Sequence, residues 1–340
     1  MEFLYVLLAL LVFGFMITVH ELGHFIFAKI FKVAINEFSI GMGPKIFSKK
    51  GKDDVLYSLR LFPIGGYVAM EGESEDSDNP DGFNKKPAWK RFIIVIAGAL
   101  VNILVGAIIM TCLTISLPYY GSTVVAEFDN DAVSHKYGLE IGDEITKIGS
   151  TRVHTADELS YEIMRSGYKS VEITFMRDGV EYTKEVSFLT TTSEGVEFGK
   201  MDFKVYAEEK SFASVCKNAF FSTKSAVKMV WDSLFDLITG RYGFEQMSGP
   251  IGVTGAISQA AKISPYSLFY LIVIISMNLG VFNLLPIPAL DGGTLVLLII
   301  EMIVRKPIPR KIENAIRTVG MVALLSLVFV ITVKDIINLF

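Results

Sequence analysis

Four stretches of the chain carry no charged residue, and each is close to the length that a helix needs to cross a lipid bilayer. They cover residues 3–19, 92–118, 263–290 and 318–333. A hydrocarbon core ~30 Å thick takes about 20 apolar residues in a helix. The four stretches therefore predict a polytopic α-helical membrane protein with about four transmembrane helices.

The overall composition agrees with a membrane protein and leaves few other classes open. Of the 340 residues, 51 % are hydrophobic and 20 % are charged, and the mean hydropathy is +0.46. Disordered, collagen-like and disulfide-rich chains differ from this composition. The net charge of −4 provides no excess of positive charge for nucleic acid. We therefore expect the lipid bilayer and other proteins or peptides as partners, and no nucleic acid.

Lysines and arginines beside these stretches predict the orientation of the chain, because positive residues stay on the cytoplasmic side of a membrane. They follow the first stretch, precede the second, and lie between the third and fourth: Lys29, Lys32, Lys85, Lys86, Lys90, Arg91, Arg305, Lys306, Arg310, Lys311 and Arg317. This pattern places both termini outside the cytoplasm. A cleaved signal peptide is the alternative for the first stretch, but only Glu2 and no basic residue lies before it.

The first stretch runs into a pattern typical of zinc peptidases, His20-Glu21-Leu22-Gly23-His24. Residues four apart share one face of a helix, so both imidazoles can bind one zinc ion while Glu21 acts on a water molecule held there. The alternative is a chance occurrence of the string. Ionisable groups beside a membrane span are costly and rarely kept without a partner, which favours the zinc site.

A third protein ligand is expected from the third stretch, because catalytic zinc takes three protein ligands and a water. Asp291 is a carboxylate in otherwise apolar sequence, next to Pro286, Pro288 and two glycines. Helices one and three both run inward in the predicted topology, so the histidines and Asp291 are expected at the same membrane depth. The alternative is that Asp291 caps a helix beginning at Thr294.

Residues 124–188 contain short alternating strands, an Asp-Gly hairpin signal at Asp178 and Gly179, and one helical stretch. Their order, with the string GL..GD.I..I at residues 138–148, resembles a bacterial PDZ domain. We predict one extracytoplasmic PDZ-like α/β domain. A clear carboxylate-binding loop is missing, so binding of peptide and steric exclusion of large substrates both remain open.

Two glycine-rich apolar stretches, at residues 38–44 and 61–68, predict a membrane-associated β-hairpin in the first cytoplasmic loop. Its edge at Gly65, Gly66, Tyr67 and Val68 could receive a substrate as an added strand. A re-entrant hairpin without a partner is the alternative. Residues 211–238 have helical apolar spacing and predict an amphipathic helix, either on the outer leaflet or packed against the PDZ-like domain.

Two motifs and the order of the parts resemble the site-2 protease family of intramembrane zinc metalloproteases, and within it the bacterial RseP-type branch. The motifs are HELGH at residues 20–24 and N..P.P.LDGG at residues 283–293, with one PDZ-like domain between the second and third stretches. The resemblance implies that His20, His24 and Asp291 bind Zn2+. It further implies that Glu21 is the catalytic glutamate and that Asn283 holds the substrate backbone.

The same resemblance implies regulated intramembrane proteolysis at the bacterial cytoplasmic membrane. Its substrates would be single-span membrane proteins, such as anti-sigma factors, or remnant signal peptides. One alternative is a catalytically idle scaffold, which would be favoured if a zinc ligand or Glu21 were missing, and none is. Another is a metal transporter, which would carry more carboxylates or histidines along several spans than this chain does.

These observations divide the chain into seven parts. They are the first transmembrane helix with the zinc motif (1–32), a cytoplasmic loop with the hairpin (33–91), the second transmembrane helix (92–118), the PDZ-like domain (119–205), an amphipathic helical region at the outer membrane face (206–262), the third transmembrane segment with the second motif (263–304), and a basic cytoplasmic linker with the fourth transmembrane helix (305–340).

Overall fold

A computed structural model describes residues 2–73, 75–193 and 195–337. The described residues form two compact units. Those up to residue 106 and from residue 247 onward form the first unit, and those from residue 107 to residue 246 form the second.

The helices are α1 (Glu2–Ile30), α2 (Ala88–Ser116), α3 (Ala156–Ser166), α4 (Phe212–Ile238), α5 (Pro250–Ile263), α6 (Pro265–Asn283), α7 (Asp291–Val304) and α8 (Arg310–Ile337). The strands are β1 (Ile35–Lys50), β2 (Leu56–Met70), β3 (Tyr120–Phe128), β4 (Glu144–Ile148), β5 (Thr151–Arg152), β6 (Val171–Arg177), β7 (Val180–Val186), β8 (Leu189–Ser193), β9 (Val196–Lys200) and β10 (Phe203–Glu208).

Four helices are long and apolar enough to cross a membrane, which confirms the number expected from the charge-free stretches. They are Leu4–Ile30 in α1, Ala88–Ser116 in α2, Pro265–Asn283 in α6 and Lys311–Ile337 in α8. A helix satisfies its backbone hydrogen bonds internally, which a chain in hydrocarbon must do.

One part of the first unit differs from the prediction. α1 continues past His24 to Ile30, inside the predicted range of 1–32, because the residues after His24 are apolar or good helix formers. The third predicted segment is two helices, since α6 ends at Asn283 and α7 begins at Asp291. The turn between them contains two prolines, which lack the N–H that a helix interior needs.

The chain between α1 and α2 forms an antiparallel hairpin of β1 and β2, as predicted. Both strands bend, so that Phe38 pairs with Val68 on one side and with Tyr57 on the other. Among the described strands, residues 66–70 pair only with β1 and so form an edge of the sheet. Phe38 and Val68 are buried in one apolar cluster with Ile94 of α2, which fixes this edge against the helices.

The second unit is built on a sheet with the strand order β10-β3-β4-β6-β7, in which β5 pairs with β4. α3 packs against it through Leu159 and Ile163, which are fully buried in one cluster with Phe175. β6 and β7 turn at Asp178 and Gly179, whose φ values of 51° and 78° suit an Asp-Gly hairpin turn. The predicted hairpin is confirmed at these two residues.

The second unit continues past the predicted boundary at residue 205, because β10 extends the sheet to Glu208 and α4 follows. The polar face of α4 packs against α3. Lys228 pairs with Glu162 at 2.6 Å, and Asp236 pairs with Arg165 at 3.0 Å. Packing against the sheet domain, one of the two alternatives for this amphipathic helix, is therefore confirmed for its polar face.

Candidate metal centre

The two histidines of α1 and the aspartate that begins α7 meet at one point. Asp291 Oδ2 lies 3.0 Å from His20 Nε2 and 3.2 Å from His24 Nε2, and the two Nε2 atoms are 3.1 Å apart. Ligand atoms ~2.0–2.1 Å from a tetrahedral zinc are ~3.3 Å from one another. The three atoms therefore have nearly the separations of a zinc site. Within the described part of the chain, this is the one such group of three His, Cys, Asp or Glu residues.

A backbone carbonyl sets the tautomer of His24. Its Nδ1 lies 2.8 Å from the carbonyl oxygen of Ile94 in α2, and both histidines are buried. A carbonyl oxygen only accepts hydrogen bonds, so Nδ1 carries the proton. The Nε2 atom of His24 therefore presents a lone pair toward Asp291, as a metal ligand does.

Asn102 of α2 lies in the corresponding position beside His20. Its Nδ2 is 3.5 Å from His20 Nδ1, while its Oδ1 is buried without a hydrogen-bond partner. A half turn of the amide exchanges the two atoms. In that orientation Oδ1 would accept a proton from His20 Nδ1, which would leave the lone pair of His20 on Nε2.

The surroundings of Asp291 suit a cation between the three residues. Its Oδ2 is buried without an assigned hydrogen-bond partner, and two imidazole nitrogens lie within 3.2 Å of it. A positive ion would stabilise three electron-pair donors that converge in this way. The capping alternative for Asp291 is wrong, because α7 begins at Asp291 itself and its N-cap residue is Leu290.

α2 comes close to both imidazoles at Gly98, where no side chain fits. A Cβ atom there would lie 2.5 Å from His24 Nε2 and 2.8 Å from His20 Cε1. This close approach allows the Ile94 carbonyl and Asn102 to reach the histidines. Gly98 and Asn102 also belong to the stretches that resemble the site-2 protease family, but the sequence assigned them no role, since neither a backbone carbonyl nor a glycine contact has a metal-binding signature.

Glu21 lies beside the ligands and faces the edge of β2. Its Oε2 accepts the N–H of Val68 at 3.1 Å, and a Cβ on Gly66 would lie 3.8 Å from Glu21 Cγ. The N–H groups of a strand alternate in direction, so the N–H of Val68 points outward from the sheet edge. Gly65, with φ of 84°, begins this edge in the left-handed region that favours glycine.

A cavity of about 240 Å³ opens at this centre. Its wall contains the three candidate ligands and Glu21, together with Tyr67, Val68, Glu73 and Arg317. Burial raises the pKa of Glu73 to about 7, and Arg317 donates to Thr294 Oγ1 at 3.4 Å. The sequence prediction missed both charged residues. An arginine at the start of an apolar helix was the available signal for Arg317.

Not every predicted site residue lies at the cavity. Asn283 ends α6 and is half-buried. Among the described residues, the cavity wall includes none of Asn283, Gly65 and Gly66. His135 and His154 belong to the second unit, where His154 Nδ1 lies 3.0 Å from Glu158.

Comparison with known proteins agrees with this centre. Residues 8–327 match peptidase family M50. Two relatives named "putative zinc metalloprotease", from Clostridium perfringens and Fusobacterium nucleatum, are 36 % and 32 % identical, and each alignment covers 98 % of this chain and 99 % of the relative. The zinc metalloprotease RasP of Bacillus licheniformis is 29 % identical over 97 % of this chain and 98 % of its own length. The chain therefore belongs to peptidase family M50 and is a multi-pass membrane zinc metalloprotease of the site-2 protease family.

Proposed function

We propose that this chain cleaves single-span membrane proteins within the bilayer, at a zinc ion held by His20, His24 and Asp291. One observation carries the proposal: the three ligand atoms lie 3.0–3.2 Å apart and next to Glu21, which in turn contacts a strand edge. A metal site, a base and a place for an extended backbone are the three parts that peptide hydrolysis needs.

A different part of the structure positions each proposed ligand. The Ile94 carbonyl orients His24, Asn102 lies beside His20, and the N-terminus of α7 positions Asp291. Zinc bound there would supply Lewis acidity: it would polarise a peptide carbonyl and lower the pKa of water, so that water becomes an effective nucleophile near neutral pH.

Glu21 is the proposed general base. It removes a proton from the attacking water and returns that proton to the departing amine nitrogen. Its position within α1, one residue from His20, keeps its carboxylate beside the ligand set. The contact with the N–H of Val68 holds the same carboxylate at the edge of β2.

The edge formed by Gly65, Gly66, Tyr67 and Val68 is the proposed substrate-binding strand. A helical substrate hides its amides in its own hydrogen bonds and must unwind before attack. An extended segment added to this edge presents its backbone to Glu21 and to the metal position. We further propose, from the family motif alone, that Asn283 helps to hold the unwound segment.

The proposed substrates are anti-sigma factors and similar single-span proteins, or remnant signal peptides, in a bacterial cytoplasmic membrane. Both termini and the second unit are proposed to lie outside the cytoplasm, which the flanking positive residues support. The sheet and α3 of the second unit are proposed to be the single PDZ-like domain. We favour its action as a size filter over its capture of a peptide C-terminus.

Purified protein, assayed for bound zinc and for cleavage of a single-span model substrate in vesicles, tests the proposal. We expect about one zinc per chain, given three protein ligands, and cleavage that a chelator stops and added zinc restores. Bound zinc without cleavage of any single-span substrate would favour a scaffold. Zinc uptake into sealed vesicles without cleavage would favour a transporter.

A further inference from the structure

Arg317 is a basic side chain in the wall of the cavity at the metal centre. Apart from the candidate ligands His20 and His24, it is the only basic residue that the described part of the chain contributes to this wall. It lies in α8, inside the membrane-spanning range Lys311–Ile337. A charged residue within a span is costly to keep and usually serves a function. Neither metal binding nor the role of Glu21 accounts for this one.

The packing of α8 holds Arg317 on the side of the metal centre. A Cβ atom on Gly320 would overlap the carbonyl oxygen of Pro288, so α8 lies directly against the turn that precedes Asp291. Arg317 is three residues from Gly320 and therefore shares this face of the helix. Its Nη2 donates to Oγ1 of Thr294, which also belongs to the cavity wall. The guanidinium is thus kept beside the start of α7.

Most of the donor groups of Arg317 have no partner assigned within the described part of the chain. A guanidinium carries five N–H groups. The assigned hydrogen bonds both come from Nη2, at 3.4 Å to Thr294 and at 3.3 Å to Glu313. Both are longer than usual for N–H···O, and the side chain is 33 % exposed. Arg317 can therefore donate to an acceptor that enters the cavity.

A substrate strand paired with β2 would bring such an acceptor. The N–H and C=O groups of an extended segment alternate between its two edges, so pairing with β2 satisfies one edge and leaves the other unpaired. Unpaired carbonyls are costly in a cavity shielded from water. An apolar membrane segment carries few polar side chains. Its backbone carbonyls are therefore the acceptors that it can offer to Arg317.

We propose that Arg317 binds a backbone carbonyl of the unwound substrate, on the edge that β2 leaves unpaired. Arg317 is then a substrate-binding residue on the helices, in addition to the strand edge. The inference rests on the proposed cleavage of single-span proteins. The other charged side chains of the wall, apart from the histidines, are Glu21, Glu73 and Asp291. Ionised carboxylates only accept hydrogen bonds and cannot hold a carbonyl.

Infrared spectroscopy of a bound substrate tests this contact directly. The wild-type protein first identifies the bond that is cut in a single-span peptide. The peptide is then made with heavy carbon and oxygen isotopes in one backbone carbonyl at a time near that bond. It is bound in vesicles to Glu21→Gln, which should hold the peptide without cutting it. A carbonyl that accepts a hydrogen bond from a guanidinium absorbs at lower frequency than a free one.

Glu21→Gln/Arg317→Met removes the donors and keeps an unbranched side chain. We expect one labelled carbonyl to move to higher frequency in this variant, and the Kd of the peptide to rise at least about tenfold, as for a lost hydrogen bond to a charged group. Glu21→Gln/Arg317→Lys keeps a cation and should recover part of both effects.

Glu21→Gln/Glu313→Gln is the matched control, because it removes the carboxylate beside Arg317 and leaves the guanidinium in the cavity. Its Kd should stay within about twofold of Glu21→Gln, as for an i,i+4 ion pair, and the carbonyl band should not move. Bound zinc equal to wild type shows that each variant is folded.

Three results would overturn the inference while the proposed function stands. They are an unchanged Kd in the Arg317→Met variant, weaker binding with every carbonyl band in place, and an equal loss in the Glu313→Gln variant. The last two would mean that Arg317 supports α8 and does not touch the substrate. Failure of the wild-type protein to cut the peptide, together with failure of Glu21→Gln to bind it, would overturn the proposed function itself and this inference with it.

Discussion

His24 shows how single contacts in α2 decide the chemistry of a residue in α1. The Ile94 carbonyl forces the proton onto Nδ1, and Gly98 leaves room for Nε2. The sequence predicts His20, His24 and Asp291 as ligands because charged or polar groups in apolar stretches need partners. It cannot predict the orienting groups, since they are a backbone carbonyl and an amide that reach the histidines only after α1 and α2 pack.

Replacing Glu21 with Gln should stop cleavage and spare zinc. The amide cannot accept the proton of the attacking water, while both imidazoles and Asp291 remain. We expect the cleavage rate to fall by roughly 10²–10⁴-fold, the usual contribution of a general base. Metal analysis of the purified variant should give the wild-type zinc content. A cleavage rate equal to wild type would rule out Glu21 as the base.

Replacing Asp291 with Ala should remove both zinc and activity. One of three protein ligands is lost, and the two imidazoles alone hold zinc poorly. His135→Ala is the matched control, because His135 lies in the second unit and should change neither quantity. Zinc content by elemental analysis and cleavage rate are measured on the same preparations. Full zinc occupancy in Asp291→Ala would require a third ligand elsewhere.

At the scale of elements, the sheet edge beside Glu21 can be tested by removing one N–H. Val68→Pro deletes the group that donates to Glu21 and that would pair with an added strand. We expect cleavage to fall roughly tenfold, since one lost hydrogen bond of ~1.4 kcal/mol has this effect. Zinc content should stay normal.

Val68→Ala is the control for that experiment, because it keeps the N–H and shortens only the side chain. Val68 is buried, so the loss should appear in thermal stability more than in cleavage rate. If both variants cleaved equally slowly with normal zinc, the side chain rather than the edge N–H would be responsible.

Glu37 in β1 gives the hairpin a dependence on pH. Burial acts to raise the pKa of its carboxyl, but hydrogen bonds from Ser58, Arg60 and Lys45 outweigh it and lower the pKa to about 2. The ordinary value is 4.5, so the carboxylate stabilises the hairpin fully above that pH. This stabilisation should disappear progressively as the pH falls towards 2.

Hydrogen exchange of the hairpin amides, corrected for the intrinsic effect of pH, measures this loss. Glu37→Gln should exchange faster than wild type near neutral pH and should lack the additional acceleration below pH 4.5. A wild-type hairpin with constant protection down to pH 2 would contradict the proposed role of these contacts.

Helices, strands and turns could be predicted where neighbouring residues in the sequence determine them. Charge-free stretches predict four spans, and Asp178-Gly179 predicts a hairpin turn, since both depend on neighbouring residues. The prolines between α6 and α7 signal a break in the helix. Whether they kink one span or divide it into two helices depends on the surrounding packing, which the neighbouring residues do not reveal. Contacts between α3 and α4 join residues more than 60 positions apart, such as Lys228 and Glu162, and have no signature in the sequence.

At the scale of the whole molecule, the candidate ligands all lie in the first unit. Replacing residues 124–188 with a flexible linker should therefore leave zinc in place. If the second unit filters by size, the deleted form should cut a single-span substrate with a bulky external domain that the full chain spares. Both forms should cut the same substrate after its external domain is trimmed.

The matched pair of bulky and trimmed substrates, presented to both forms, separates filtering from delivery. Loss of cleavage of the trimmed substrate, with zinc content unchanged, would mean that the second unit delivers substrate. Because α4 loses its partners in α3 in this deletion, the zinc measurement is the check that the remaining chain is folded.

Under the roles proposed for Glu21 and the edge of β2, the hydrogen bond between Val68 and Glu21 would also determine when the carboxylate is free to act. In the resting protein, Glu21 occupies the amide that an incoming strand would use. A backbone carbonyl of an arriving substrate would compete with Glu21 for the N–H of Val68. When that carbonyl accepts the N–H, the carboxylate of Glu21 would be released beside the candidate ligands. Intact transmembrane helices cannot compete, because their carbonyls are already engaged. Under the same proposal, this one hydrogen bond would keep the carboxylate engaged among folded membrane proteins and would free it when an unwound segment arrives.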